Sequence, residues 1–306
     1  MAKFRRNHQQ SAKKSGTILR VGIFAAIASG LFYIFNLFTG GKFTDDTTNN
    51  PRTEVVDYNQ QDDFLPTTID GRIVHHKYYS LSYNEKHEQA EWVAYVLTEE
   101  RLNRPWVDRP DYFNPDPKVR STSAEWEDYK NSGYDRGHLV PAADMAFSEE
   151  AIKETFYMSN ISPQSRNFNQ GIWRELEELT RSWAKKYDEL YVVSGPVFTQ
   201  PIKGKIGKAT KVSVPAAYFK VLLDIKDPEY KGIAFVLPNE VSYDPLYKFA
   251  MSIDEAEEVT GLNFFPDLME PEYEKEIEAN FNIDLWYFSK AKYDIRVNKW
   301  NKNANK

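Results

Sequence analysis

Four consecutive residues, Asp135, Arg136, Gly137 and His138, set two opposite charges, a residue without a Cβ and an imidazole side by side. Imidazole is the side chain whose ordinary pKa lies near neutrality, so a proton can change hands there. The same four residues also suit a turn beside a strand. Further on, Asn169, Glu177 and Arg181 follow at spacings of eight and four. On an α-helix Glu177 then lies about 80° round from Asn169, with Arg181 one turn further on the same side. Each residue also has a structural reading. Asn169 suits a helix cap, Glu177 and Arg181 suit an i,i+4 surface pair, Arg136 can pair with Asp135, and His138 can be a turn histidine.

The elements that would hold these residues can be read from pattern. Residues 169–187, "NQGIWRELEELTRSWAKKY", carry an apolar stripe at Ile172, Trp173, Leu176, Leu179 and Trp183, which predicts one amphipathic helix. The runs "EWVAYVLT", "LYVVSGPVF", "AAYFKVLLDI" and "GIAFVLPN" predict buried strands, and "GRIVHHKYYSLSYNEK" a strand and turn. Residues 103–118 hold four prolines and predict an irregular loop. "SIDEAEEVTGL" opens with Ser252 three residues before Glu255, a capping-box start, and Gly261 can stop the helix. No internal repeat is present. The expected class is α+β, with a central, mainly antiparallel sheet flanked by helices.

The 306-residue chain is long enough to bury a sizeable core, and 41% hydrophobic with 15% aromatic residues is a globular composition. Cysteine is absent, which excludes a disulfide framework and thiolate metal sites. The net charge of −6 is uneven. Residues 1–42 hold seven basic side chains and no acid, leaving 32 basic against 45 acidic residues in the rest, a balance of −13. Such a body is a poor non-specific polyanion binder, so a nucleic-acid site must be a local basic pocket helped by a cation. Residues 21–38, "VGIFAAIASGLFYIFNLF", carry no charge and follow a basic segment. They predict a transmembrane signal-anchor over 18–39, a cytoplasmic N-terminus over 1–17 and a linker over 40–62, with the folded domain over 63–306 beyond the membrane. The apolar run continues past "AIASG", which favours an anchor over a cleaved signal peptide.

"DRGHLVPAA" at 135–143, followed by "NISPQSRNFNQGIWRELE" at 160–177, resembles the DNA/RNA non-specific endonuclease family, the ββα-metal (His-Me finger) nucleases of endonuclease G type. "NRPW", "VVSGPVF" and "VPAAYFKVLL" fall in the family's order, so the resemblance covers roughly residues 70 to 270. It implies a Mg²⁺-dependent enzyme, with Mn²⁺ as a substitute, that cuts DNA and RNA to 5′-phosphate ends. It implies that His138 is the general base and Asn169 the one direct metal ligand. Glu177 matches a residue that hydrogen-bonds the metal's waters. Arg136 matches the arginine on the scissile phosphate, and Arg181 and Arg104 match two further phosphate-side arginines. Asp135 and Asn160 would support the site structurally. The resemblance admits a homodimer, since family members often pair, but the sequence pattern shows no dimer seam and leaves the oligomeric state open.

Those residue types suit phosphodiester hydrolysis on physical grounds. The phosphodiester is an anion that repels its nucleophile, so hydrolysis needs a base, fixed positive charge on the non-bridging oxygens and stabilisation of the leaving oxygen. A site of His, Asn, Glu and Arg reads backbone rather than base edges, which implies no sequence preference. The rival readings are a catalytically inactive nucleic-acid-binding or scaffold module on the same fold and a phosphodiesterase for small nucleotides. His75, His76, His87 and His8 receive no role. The membrane is either a bacterial inner membrane, with the domain in the periplasm, or a mitochondrial one, with the domain in the intermembrane space.

Overall fold

The computed structural model describes residues 62–303 except 122 and 209. The expected anchor over 18–39 lies outside the described residues, and no helix among those described is long and apolar enough to cross a membrane. In chain order the strands are β1 (Arg72–His75), β2 (Ser80–Asn84), β3 (Gln89–Thr98), β4 (Asp135–His138), β5 (Ile161–Gln164), β6 (Glu189–Pro196), β7 (Gly204–Ile206), β8 (Val212–Val214), β9 (Ala217–Asp224), β10 (Lys231–Pro238) and β11 (Ala250–Met251). The helices used below are α1 (Arg174–Tyr187), α2 (Ile253–Thr260), α3 (Pro271–Ala279) and α4 (Lys290–Ile295).

Seven strands form one sheet in the order β1-β2-β3-β6-β9-β10-β11, and every pairing in it is antiparallel. Period-two alternation sorts its side chains into two cores. Val93, Tyr95 and Leu97, with Leu190, Val192 and Leu222, face the core that α1 covers through Leu176, Leu179 and Trp183. Trp92, Ala94 and Val96, with Val193, Phe219 and Val221, face the other core, which Ile253 and Ala256 of α2 cover. Both faces are closed, so the central strands are buried along their length. The capping box of Ser252 and Glu255 starts α2, and Gly261 ends it in a left-handed conformation at φ 73°. Four predicted strands and this helix therefore form where pattern placed them.

Two departures bear on function. The segment predicted as one helix over 169–187 is a π-helical turn at Phe168–Trp173 followed by α1. Gly171 breaks the helix with φ −110° and ψ −111°. The straight-helix angle between Asn169 and Glu177 therefore does not hold. Second, residues beyond the expected resemblance pack onto the domain. Trp183 donates its indole N–H to the Tyr287 carbonyl at 3.0 Å and meets Trp286 edge-on. Fully buried Arg296 donates to Glu175 at 2.5 Å, and Lys292 pairs with Glu178 at 2.7 Å.

Candidate active site

The Asp135–His138 segment is strand β4, paired with β5 in a two-stranded ribbon outside the main sheet. A turn beside a strand was the structural alternative; the residues form the strand itself. Alternation puts Arg136 and His138 on one side, where the guanidinium lies 4.6 Å from the Phe113 ring centroid and the imidazole 5.7 Å from it. Asp135 and Gly137 take the other side. A Cβ on Gly137 would sit 2.2 Å from the Gln164 amide, so any larger residue there would displace that buried side chain. Just past His138, the buried Asn160 side chain accepts from the Val140 N–H at 2.8 Å and donates to the Val140 and Thr155 carbonyls. Its own backbone carbonyl accepts from Leu139 at 3.0 Å. These bonds fix the strand end that carries the imidazole.

His138 packs edge-on against Phe156 at 4.8 Å. Its Nε2 is sealed from solvent without a partner among the described residues, so the half-buried ring keeps its Nδ1 edge for exchange. Burial, then the charges of Arg109 and Arg136, push its pKa down to about 3. The imidazole is therefore neutral at neutral pH.

The amide of Asn169 is held by a carboxylate. Its Nδ2 donates to Asp135 Oδ2 at 3.0 Å, and Gln170 Nε2 donates to the same oxygen at 3.2 Å. With its nitrogen committed to Asp135, the amide leaves Oδ1 as its unused donor atom. Asn169, Asp135 and Arg136 line one cleft of about 600 Å³ with Arg109, Phe113 and Tyr134. A hard cation that prefers oxygen and keeps most of its waters fits such a donor set.

Glu177 belongs to a second group. Burial raises its pKa, opposed by Arg181 and Lys220 and reinforced by Asp144. Arg181 does not make the i,i+4 pair with Glu177 that was the structural alternative; it donates to buried Asp144 at 2.7 Å, and the Tyr95 hydroxyl donates to the same carboxylate at 2.7 Å. The i,i+4 pair on α1 is Arg174–Glu178. Lys220, fully buried with no hydrogen-bond partner among the described residues, lies 5.0 Å from the Trp173 ring centroid, and its pKa is lowered by burial. Arg181 and Asp144 line a groove of about 520 Å³ with Arg101, Arg104, Lys185 and Lys292. Arg104 pairs at 2.5 Å with the exposed Glu100.

The model of the DNA/RNA non-specific endonuclease family matches residues 62–270. The chain belongs to this family. It is an endonuclease, a phosphodiester hydrolase. Nuclease C1 of Cunninghamella echinulata var. echinulata is 39% identical over 208 residues, covering 62% of this chain and 81% of that protein. Nuclease 1, mitochondrial, of Schizosaccharomyces pombe is 31% identical over 285 residues, covering 83% and 88%. The solved complex of EndoG with EndoGI superposes with a TM-score of 0.60 at 30% identity, over 66% of this chain and 89% of that one.

Within this endonuclease the geometry brings Asp135, Arg136 and Asn169 to one cleft, with His138 linked to it through Phe113 and Arg109. Arg104 and Arg181 line the other groove, and of the two only Arg181 acts on Glu177. Sequence reasoning missed Asp144 and Lys220, and weighed Arg109 only as a neighbour of Arg104. Asp144 follows the signature by six residues, close enough to be noticed. Lys220 sits in a strand that is otherwise apolar, "AAYFKVLL", and a lone cation in a buried strand was the signal available. Two of the histidines left without a role, His76 and His87, have packing ones. His76 is buried between Asp116 at 2.9 Å and Glu154 at 3.7 Å, and His87 stacks on Phe198 at 3.8 Å.

Proposed function

We propose that the chain is a membrane-anchored, Mg²⁺-dependent endonuclease that hydrolyses DNA and RNA without sequence preference and leaves 5′-phosphate ends. His138 takes a proton from the attacking water at its Nδ1 edge. Arg136 holds the scissile phosphate, and its charge and that of Arg109 offset the anion as negative charge builds. Asn169 Oδ1 would hold the metal, and Glu177 would orient water bound to it. A bound Mg²⁺ supplies charge stabilisation for the leaving oxygen. Asp135 positions the Asn169 amide, Asn160 positions the strand of the base, and Arg181 and Arg104 supply further positive charge on the phosphate side. Residues 18–39 anchor the enzyme, with the domain beyond the membrane. The Schizosaccharomyces pombe relative carries "mitochondrial" in its name, which favours a mitochondrial membrane.

The observation that carries this reading is the Asp135–Asn169 bond. It ties the signature strand to the oxygen donor and leaves that oxygen free beside Arg136. The full-length chain in detergent, given supercoiled plasmid and single-stranded RNA, should cut both with Mg²⁺ and neither with EDTA. His138→Ala should cut at least ~100-fold more slowly. A chain that cuts nothing with any divalent ion, or a His138→Ala variant as fast as the parent, overturns the reading.

A further inference from the structure

On the face of the sheet opposite α1, the helices α2 and α3 bring three carboxylates together. Asp254 and Glu257 lie three apart on α2, and Glu278 lies near the end of α3. One oxygen from each falls within 4.8 Å of the others. Glu278 is only 3% exposed, and its Oε1 has no hydrogen-bond partner among the described residues. A buried carboxylate oxygen left unpaired is costly, and the carboxylate that carries it lies against two more. Among the described residues no lysine, arginine or histidine lies within ion-pair distance of the three. Glu278 also stands in the last turn of α3, which has no basic residue and whose partial charge is negative. Every nearby field therefore opposes the ionised form.

We propose that Asp254, Glu257 and Glu278 form a calcium-type divalent-cation site that clasps α3 onto α2, separate from the catalytic cleft. The donor set is all oxygen, which selects a hard cation. Calcium takes six to eight oxygens in a flexible geometry, so it can gather three carboxylates already this close, whereas Mg²⁺ demands a near-ideal octahedron and keeps most of its waters. Glu257 is already positioned, since its Oε1 accepts the Phe264 N–H at 2.7 Å. Asp254 and Glu257 lie inside the family match and Glu278 lies beyond residue 270, so the cation joins the family domain to its C-terminal continuation. Without a cation the only available neutralisation is a proton, and Glu278, under burial and the charges of Glu257, Glu274 and Asp254, holds one up to about pH 9.

The test uses the full-length chain in detergent, as the parent and with Asn169→Ala to weaken the catalytic metal contact. Calcium binding is read by titration calorimetry and melting temperature with CaCl₂ against EDTA. In the Asn169→Ala background one calcium equivalent should remain, and in both backgrounds saturating Ca²⁺ should raise Tm by about 5 °C or more. Glu278→Gln should weaken that binding at least tenfold and abolish the Tm gain. Asp254→Asn, at a half-buried position, should do the same and serves if Glu278→Gln does not fold. The proposal is overturned if Ca²⁺ leaves Tm unchanged in the Asn169→Ala background, or if Glu278→Gln and Asp254→Asn both keep the full calcium response.

Discussion

Glu177 on α1 and Glu278 at the end of α3 are both carboxylates whose pKa burial drives upward, but their surroundings differ in sign. Glu177 shares its surroundings with Arg181 and Lys220 as well as Asp144, so opposing charges are balanced within one network. Among the described residues, the charges that act on Glu278 are all carboxylates. Burial alone does not settle what a buried acid can do. The neighbours decide, and a mixed-sign network can keep a carboxylate near the point of ionisation where water chemistry needs it. A single-sign cluster has to take up a proton or a cation.

The largest effect should come from the catalytic side. Asn169→Ala and His138→Ala should each lower plasmid cleavage by about 10²–10⁴-fold with the fold intact by circular dichroism. Asp135→Ala, which touches Asn169 and not the phosphate, should cost about 10–100-fold and shift the metal concentration for half-activity upward. A variant with altered kcat and unchanged metal dependence would contradict that positioning role. Asp144→Ala should then separate the two buried acids most sharply in stability. It leaves Arg181 and Lys220 short of a carboxylate and should cost about 3–5 kcal/mol in urea unfolding. Glu278→Gln, by contrast, should leave the protein equal or more stable in EDTA above pH 7.

The pH dependence sharpens the contrast. The folded pKa of Glu278 is raised to about 9 from an ordinary 4.5, so its contribution to stability is present below about 4.5 and is lost as pH rises toward 9. In EDTA the parent should therefore lose up to about 1.4 kcal/mol per pH unit relative to Glu278→Gln across that window. His138 runs the other way. Its folded pKa lies near 3 against 6.5, so its contribution is full above 6.5 and is lost as pH falls toward 3. His138→Ala should flatten the acid limb only. The smallest effect belongs to Arg104→Ala, whose pair with exposed Glu100 should be worth under about 1 kcal/mol in unfolding.

How far pattern reached depends on the range of the interactions involved. The strands β3, β6, β9 and β10 and the helix α2 were legible because their signals are local: alternation, apolar runs, a capping box and a terminal glycine. The site residues were legible as types and as a family signature. Their arrangement was not, because the contacts that set it span long separations. Asp135 reaches Asn169 across 34 residues, and Asp144 reaches Arg181 across 37. The π-turn at Phe168–Trp173 defeated the helical extrapolation, since periodicity assumes 3.6 residues per turn and Gly171 breaks it.

Amino-acid order alone determined that this chain is a mixed α/β endonuclease with His138, Asn169 and Glu177 in its signature, because residue identity and short spacings suffice for that. Only the tertiary structure decided which charges meet. It turned the Asn169 amide by way of Asp135, gave Arg181 to Asp144, buried Lys220 over Trp173 and closed Asp254, Glu257 and Glu278 on one another. The physical reason is that desolvation and Coulomb energy depend on distance through space and on what excludes water, and neither is written in the separation along the chain.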